Sequence, residues 1–356
     1  MGVRARASPR GGTRAVTASA AQLKVRRLAP RDLDAVVAID ASLAGRSRRF
    51  YFERRLKAAQ KQPDVHMQFA IDDAGALAGY VLARKLAGEF GRTEPALRLE
   101  VIGVRPDERG HGIGLQLLAA LEAEARPAGL TSIRTSASWR DHGILRFFDH
   151  AGFELAPNQI LECTVHAGRL GAEHEPGVAA PEHHHFSAEV DYSADRANDF
   201  ETLARDRVDV RSLAPGDLAD LVRIDRNLMG RERRAYIEGL VAEALDDSAV
   251  RVSLTARVDG IVAGFAMART DFGDFGRSEP VAVLDTIGID PDYAHLHVAT
   301  ALLSQLFVNL GALRIERVET LVRRENFDLL GFLYSIGFRQ SQRLGFMKAV
   351  GGADLR

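Results

Sequence analysis

Hydrophobic and polar positions follow two different periods along the chain, and together these periods predict a mixture of helices and strands. A helix is predicted after Pro30, where apolar residues recur every three to four positions on one helical face. These apolar residues are Leu33, Val36, Val37 and Leu43. Further helices are predicted over residues 48–60, 113–125 and 144–151, and strands over 25–28, 67–71, 78–83, 97–104, 132–137 and 160–165. This order is typical of a mixed α/β sheet with helices packed on its faces.

The whole pattern occurs twice, at a constant offset of 185 positions. The stretch Glu-Phe-Gly-Arg-Thr-Glu-Pro at 89–95, for example, falls on Asp-Phe-Gly-Arg-Ser-Glu-Pro at 274–280. Solenoid repeats have periods of roughly 20 to 50 residues, so the repeated unit here is a whole domain. The boundaries that we expect are a disordered basic tail at 1–22, a first domain at 23–166, a linker at 167–208 and a second domain at 209–351.

Composition excludes several classes of protein. The 356 residues are 46% hydrophobic and 27% charged, which is ordinary for a globular protein, and the formal net charge is -1. A nearly neutral chain gives no electrostatic reason to expect a nucleic-acid partner, and no apolar run reaches the roughly 18 residues of a membrane span. The single cysteine, Cys163, excludes an internal disulfide framework and fits a reducing compartment, so we expect a cytoplasmic protein.

Two segments outside the repeat have open interpretations. Residues 1–22 are rich in arginine and contain no acid. This composition fits a disordered tail or a start codon placed too early. It fits a transit peptide less well, because the segment has no apolar face for an amphipathic helix. The expected linker contains the run His183-His184-His185, and such runs can bind metal. Because no cysteine or second spaced histidine pair lies nearby, we expect no physiological metal site.

A glycine-rich loop between a predicted strand and a predicted long helix is the main chemical signal. Residues 109–114 are Arg-Gly-His-Gly-Ile-Gly. The first-turn N–H groups of a helix have no internal partner and, together with the helix dipole, favour an anion. Glycines let the backbone turn tightly and let a diphosphate approach without a Cβ in the way. Arg109 can add a charge-assisted contact, whereas the Lys-Ser/Thr ending of a P-loop is missing.

The segment 102–114 resembles the acyl-CoA signature of the GCN5-related N-acetyltransferase (GNAT) family, in which an Arg/Gln-x-x-Gly-x-Gly/Ala loop binds the pyrophosphate. Residues 141–153, which end in Phe-Phe-Asp-His-Ala-Gly-Phe, resemble the second motif of that family. The resemblance covers nearly all of 23–166 and, more weakly, 209–351. It implies two tandem GNAT-like domains, each a mixed, mostly antiparallel sheet with helices on both faces, and acetyl-CoA as co-substrate without a metal. The residues that it places at the cofactor are Ile102, Gly103, Val104, Arg109, Gly110, His111, Gly112, Ile113, Gly114, Asp141 and Phe148.

The second copy has lost the features of this loop. His297 replaces Gly112, and Ala294 replaces Arg109. A side chain then occupies the path of the diphosphate and the cationic partner is missing, so we expect only the first copy to bind acyl-CoA. Our hypothesis is that the second copy is kept because it packs against the first and shapes the acceptor cleft.

Acid–base groups are assigned by the same resemblance, which implies direct attack of an amine on the thioester of acetyl-CoA. A backbone N–H near Ile102 or Gly103 is expected to polarise the thioester carbonyl. Glu100 is the candidate base, because the period of two places it on the same strand face as Ile102. The alternative is a structural carboxylate paired with Arg92 or Arg98.

The candidate acid departs from the family pattern. Phe148 occupies the position at which the second motif of the family usually has a tyrosine. Ser136 occupies the position at which some relatives have a glutamate that acts as the base. Either the thiolate leaves without help, which a thiol pKa of about 8.5 allows, or His142 donates the proton. A structural role for His142 near the start of its helix is the alternative.

Two further segments are expected to line the acceptor pocket, at 45–51 and 89–95. The candidate substrate-binding residues in them are Arg46, Tyr51, Glu89 and Arg92. The second segment also fits an ordinary hairpin with an Arg92–Glu94 pair. Mixed arginine and glutamate would suit a small zwitterion or a peptide terminus.

The sequence thus predicts an enzyme whose N-terminal half moves an acetyl group from acetyl-CoA to a primary amine in a ternary complex. The expected partner is a small-molecule amine, a peptide N-terminus or a lysine, with no nucleic acid and no membrane. The expected assembly is a monomer that forms an internal pseudo-dimer, or a homodimer. The alternative function is a non-catalytic acyl-CoA sensor or interaction module.

Overall fold

The computed structural model describes residues 24–88, 90, 94–165, 208–246, 252–271, 280–294 and 296–351. The predicted tail, the histidine run and all of the predicted linker except Val208 lie outside these residues.

The elements of the first half follow the predicted order, with one short extra strand. They are β1 (Lys24–Arg27), α1 (Leu33–Ala44), α2 (Arg49–Lys61), β2 (His66–Asp73), β3 (Ala76–Leu86), β4 (Ala96–Val104), α3 (Ile113–Ala125), β5 (Ser132–Ser138), α4 (His142–His150), β6 (Glu154–Leu155) and β7 (Asn158–Thr164). A single 3-10 turn at Pro30–Asp32 leads into α1, since proline fixes the φ angle of a first helical residue.

The second half repeats the order. Its elements are β8 (Asp209–Ser212), α5 (Leu218–Met229), α6 (Arg234–Asp246), β9 (Leu254–Val258), β10 (Ile261–Asp271), β11 (Val281–Ile289), α7 (Val298–Ala312), β12 (Arg317–Arg323), α8 (Phe327–Ser335), β13 (Arg339–Gln340) and β14 (Arg343–Ala349).

The strands form two seven-stranded mixed sheets, which confirms the predicted fold class. One sheet has the order β1-β2-β3-β4-β5-β14-β6, and the other β13-β7-β12-β11-β10-β9-β8. Among the described strands, only β4 with β5 and β11 with β12 pair in parallel. Helices cover both faces of each sheet, with α1 and α2 on one face of the first sheet and α3 and α4 on the other.

Each sheet is completed by a strand from the other half. Strand β14 pairs with β5, from Arg343 opposite Ser138 to Ala349 opposite Ser132. Strand β7 pairs in the same way with β12 of the second half. The predicted strand at 160–165 therefore exists. We expected it to belong to the sheet of the first domain, but it pairs in the second sheet.

The hydrophobic cores contain residues of both halves as a result. Phe346 of β14 lies 5.2 Å from Phe148 of α4, measured between ring centroids. Leu161 and Cys163 of β7 belong to the core of the second half. Burial raises the pKa of Cys163 to about 11, so this thiol is a packed core group and not a reactive one.

Truncation after residue 207 tests the strand exchange. We expect the N-terminal fragment to fail to fold alone, because it lacks the strand between β5 and β6 and exposes their unpaired backbone edges. Circular dichroism and thermal unfolding are the measurements. Co-expression with residues 208–356 is the control and should restore the native unfolding transition. A fragment 1–207 that unfolds cooperatively at the temperature of the full chain would contradict the exchange.

Candidate active site

A gap between two parallel strands forms the centre of the site. Strands β4 and β5 pair only at Leu97 with Ile133 and at Arg98 with Arg134. The hydroxyl of Thr135 then donates a hydrogen bond of 3.0 Å to the carbonyl oxygen of Leu99. Beyond this point the described strands make no further pairs and separate toward their C-terminal ends.

A β-bulge occurs in β4 at the point where the strands separate. Val101 lies opposite Leu82 and Leu99 opposite Ala83, so Glu100 is the extra residue. The expectation that Glu100 and Ile102 share one strand face is wrong, because the bulge shifts the alternation by one residue. Ile102 packs against the core under α3, whereas the Glu100 side chain points to α2.

The glycine-rich loop has the geometry of an anion site. Gly110 and Gly112 adopt φ angles of 83° and 77°, and a Cβ on either would meet no atom within 4 Å. Gly112 is the N-cap residue of α3, so open space lies in front of the first-turn N–H groups of a 13-residue helix. Arg109 and His111 are exposed beside this space. The loop therefore has room for a phosphate against the backbone, and the binding of a phosphate there stays a prediction.

Several residues that the resemblance placed at the cofactor have packing roles. A Cβ on Gly114 would lie 2.8 Å from the ring of Phe147, and one on Gly103 would lie 2.6 Å from the ring of Tyr80. The remaining ones are buried to different degrees: Ile113 and Phe148 lie in the core, and Ile102 and Val104 pack against it.

The start of α4 is organised by its cap. Asp141 is the N-cap residue, and its carboxylate accepts a 3.1 Å hydrogen bond from the N–H of Ile144. His142 is the first residue of the helix and is exposed. Their predicted contacts with the cofactor and the leaving thiolate stay predictions.

The loop of the second half keeps the backbone shape but not the space. His297 is the N-cap residue of α7 and adopts a φ angle of 54°, in the same left-handed region as Gly112. An imidazole thus stands where the first half has only a hydrogen atom. His295 lies outside the described residues.

Glu100 lies between two arginines. Its side chain is 1% exposed, and one carboxylate oxygen, Oε1, lies 3.1 Å from Nη2 of Arg55 and 3.2 Å from Nε of Arg84. If Glu100 is a structural paired carboxylate, its partners are Arg55 of α2 and Arg84 of β3. From the sequence we expected Arg92 or Arg98 instead. In the second half Asp285 occupies the bulge and pairs with Arg269 at 3.0 Å.

A cavity of about 790 Å³ opens beside this cluster, between the two halves. Helix α2 and strands β3 and β4 form one side, and α6, β10 and β11 form the other. Glu243 of α6 reaches across and pairs with Arg84, with both carboxylate oxygens within 3.1 Å of Nη1. Burial alone would raise the pKa of Glu243, but the surrounding guanidinium groups, Arg84 foremost, outweigh it and lower the pKa to about 2.

The predicted acceptor residues have separate locations. Tyr51 is buried and lines the cavity, whereas Arg46 is exposed on the turn between α1 and α2. Glu89 and Arg92 lie outside the described residues. Arg48, in the same repeated segment, is buried against Asp40, with its Nε 2.8 Å from Oδ2. The repetition of this pair as Arg233–Asp225 gives the arginine a structural role in both halves.

Sequence reasoning missed the residues around Glu100 that come from other elements. Arg84 has a counterpart in Arg269, so the repeat itself was a signal that both copies keep a cation there. Glu243 has no such signal, because its counterpart is Ala58 and its partner lies 159 residues away. Within the described residues, no group of three histidine, cysteine or acidic side chains is placed to hold a metal ion. No described helix is long and apolar enough to cross a membrane.

Comparison with known proteins now gives the class of protein. The profile of the Acetyltransferase (GNAT) family matches residues 34–153 and 220–338, more than half of the chain. The chain therefore belongs to this family, with one match in each half. A search of curated proteins returned no match.

Solved structures share the tandem fold at low identity. A tandem GNAT protein from the clavulanic acid biosynthesis pathway is 15% identical, with a TM-score of 0.58 over 94% of this chain and 100% of that one. A GCN5-related N-acetyltransferase from Sphaerobacter thermophilus is 14% identical, with a TM-score of 0.53 over 94% and 98%. The glucosamine N-acetyltransferase region of a fungal multi-domain β-N-acetylglucosaminidase is 15% identical, with a TM-score of 0.60. This chain is 91% covered by that match but spans only 38% of the fungal protein. These likenesses show the fold.

His66, in the wall of the cavity, predicts a pH dependence of stability. Burial, helped by the positive charges of Arg55 and Arg84, lowers its pKa to about 4. The unfolded chain has the ordinary pKa of about 6.5, so it binds a proton between these values while the folded protein does not. We expect the free energy of unfolding to be unaffected by this group above pH ~6.5 and to fall by up to about 3 kcal/mol as the pH drops to about 4.

Urea unfolding at a series of pH values measures this effect. His66→Gln should flatten the decline between about pH 6.5 and 4, because glutamine does not titrate. His150→Gln, at an exposed position of α4, is the control and should leave the decline intact. Equal slopes in wild type and His66→Gln would show that His66 does not cause it.

Proposed function

We propose that the N-terminal half transfers an acetyl group from acetyl-CoA to a primary amine, by direct attack within a ternary complex. The observation on which this rests is the difference between the two loops. Only the first half combines Gly110 and Gly112 with open space at the N-terminus of its helix, and the second half has His297 at the same backbone position.

The described residues fit acetyl-CoA in three respects. The space in front of α3 accepts a phosphate without a clash, and Arg109 is exposed beside it. In the described part of the chain, strand β4 has no backbone pair to β5 between the bulge at Glu100 and the end of the strand that precedes this loop. Acetyl-CoA supplies the activated thioester carbonyl when it is bound there.

The residues of the chain then have distinct roles. The first-turn N–H groups of α3 and Arg109 bind the diphosphate, which fixes the acyl end of the co-substrate at the bulge. A backbone N–H near Ile102 or Gly103 donates to the thioester oxygen, on which negative charge develops. Glu100, held by Arg55 and Arg84, accepts a proton from the incoming ammonium through water. His142 is the group proposed to protonate the leaving thiolate.

Gly112→His tests the loop. The variant copies the residue that the second half already has at φ 54°, so the chain should fold at a cost of roughly 1–2 kcal/mol for a left-handed non-glycine residue. Calorimetric titration should show acetyl-CoA affinity reduced by about a hundredfold or more, because the imidazole displaces several charge-assisted hydrogen bonds. His297→Gly is the matched control and should leave the affinity unchanged. Undiminished affinity in Gly112→His would place the co-substrate elsewhere.

Two observations favour a second candidate function, a non-catalytic acyl-CoA sensor. Phe148 has no hydroxyl to protonate a leaving group, and Glu100 makes ion pairs that a purely structural carboxylate would also make. In that case acetyl-CoA would bind and no amine would be acetylated.

Glu100→Gln distinguishes the two candidates. For a catalyst we expect thiol release from acetyl-CoA with an acceptor amine to fall by about a hundredfold or more, the usual contribution of a general base. The affinity for acetyl-CoA should stay unchanged. Glu53→Gln, at an exposed site of α2, is the control for loss of a carboxylate. Equal turnover in Glu100→Gln and wild type would remove Glu100 from the mechanism, and no turnover in wild type with any amine would favour the sensor.

A further inference from the structure

The cavity between the halves has a large excess of positive charge. Among the described residues that line it, eight are lysine or arginine, and only Glu243 and Asp285 are acidic. Adding the buried Glu100, which pairs with two of the arginines, still leaves five cations in excess. A cavity with this balance attracts an anionic molecule.

The excess comes from one half only. Seven of those eight cations belong to the first half, in which α2 provides Arg54, Lys57 and Lys61. These three are spaced by three and four residues, so they share one helical face. The counterparts of Arg54 and Lys57 in the wall are Gly239 and Ala242 of α6.

The strands show the same asymmetry. Lys85 of β3 corresponds to Thr270, and Arg98 of β4 corresponds to Val283. All four residues line the cavity, from opposite sides. Since both halves have the same fold, the charge difference is not a requirement of the fold, and it follows the half that keeps the glycine-rich loop.

The charge is not explained by the phosphates of acetyl-CoA. No residue of the described loop at 105–112 lines the cavity. Arg98 lies six residues before Val104 along β4, which is about 20 Å at the rise of an extended strand. The diphosphate site and the basic cavity thus lie at opposite ends of β4, with the bulge at Glu100 between them.

His66 adds no positive charge to the cavity, because its pKa is lowered, first of all by burial. The side chain is buried in the cavity wall, and burial together with Arg55 and Arg84 lowers its pKa to about 4. His66 is therefore neutral near pH 7, and the charge excess comes from lysine and arginine alone.

We propose that this cavity is the acceptor site of the first half and that its substrate is a small primary amine which also carries an anionic group. Arg54, Lys57 and Lys61 of α2 bind the anionic group, and the amine lies toward Glu100. The second half forms the opposite wall and contributes Glu243, which holds Arg84 in place. The inference rests on the proposed transferase function for the reaction, but the binding of the anion does not depend on turnover.

Pairs of amines that share the same amino end and differ in whether they carry an anionic group test the substrate class. O-phosphoethanolamine is compared with ethanolamine, and 4-aminobutyrate with butylamine, by calorimetric binding to the full chain and by thiol release from acetyl-CoA. We expect at least one anionic amine to bind about tenfold or more tighter than its partner, with an affinity that falls as salt is added. The gain in affinity from the phosphate of O-phosphoethanolamine, compared with the gain from the carboxylate of 4-aminobutyrate, shows which anion the site prefers. The proposal would be overturned if ethanolamine and butylamine both bound as tightly as their anionic partners, or more tightly.

The double variant Lys57→Ala/Lys61→Ala tests the site. Both lysines are exposed on α2, so their removal should leave the fold intact. For the preferred anionic amine we expect KM to rise about tenfold or more while kcat and the affinity for acetyl-CoA stay unchanged. Arg49→Ala is the matched control, since it removes an exposed cation of the same helix that does not line the cavity.

The outcomes separate this inference from the proposed function. Acetyl-CoA binding without binding of either anionic amine would overturn the anionic acceptor and leave the acyl-CoA site standing. Tight binding of O-phosphoethanolamine or 4-aminobutyrate that the double variant abolishes would support the basic cavity even if no acetyl transfer were detected. Binding that the double variant leaves unchanged would place the anion elsewhere and overturn the proposal.

Discussion

The exchange of β7 and β14 between the two sheets is the constraint on which the rest of the structure depends. Each sheet obtains one of its strands from the other half through a seven-residue register of backbone pairs. Because Phe346 and Leu161 enter the opposite cores, neither half has a complete hydrophobic core of its own. Helices α2 and α6 line opposite sides of the cavity, together with β3 and β4 of the first half and β10 and β11 of the second.

Within this shared scaffold the two halves have diverged at sites that the fold does not fix. Both halves keep the buried arginine–aspartate pair between their first helices and the bulge with an acidic residue. Both also keep the threonine whose hydroxyl donates a hydrogen bond to a carbonyl oxygen of the neighbouring parallel strand. They differ at the loop before the long helix and in the charge of the cavity wall. The first half has the glycines and the cations, whereas the second has an imidazole in the loop and mostly neutral side chains in the wall. Such a difference fits one half that binds ligands and another that completes the cavity.

The fold was largely predictable from the sequence because local patterns determine it. The predicted helix at 113–125 has the observed bounds Ile113–Ala125, and Gly110 and Gly112 adopt the left-handed angles that a tight loop requires. The strand exchange was not predictable. The apolar pattern of β7 is the same whichever sheet it joins, so nothing local to residues 160–165 indicates its partner.

The candidate site was predictable only in part, for two physical reasons. The period of two assumes an unbroken strand, and the bulge at Glu100 places its side chain on the face opposite to the predicted one. The charges around Glu100 come from α2, β3 and, through Glu243, the other half. Contacts over such sequence distances leave no spacing pattern, although the repetition of Arg84 as Arg269 was visible.

The central claim is that one half binds the acyl donor while the other completes its acceptor cavity. Native mass spectrometry of the full chain with saturating acetyl-CoA counts the bound molecules most directly. One molecule per chain is the result that this account predicts, since His297 occupies the second loop. Two molecules per chain would contradict it and would mean that both halves keep a working donor site.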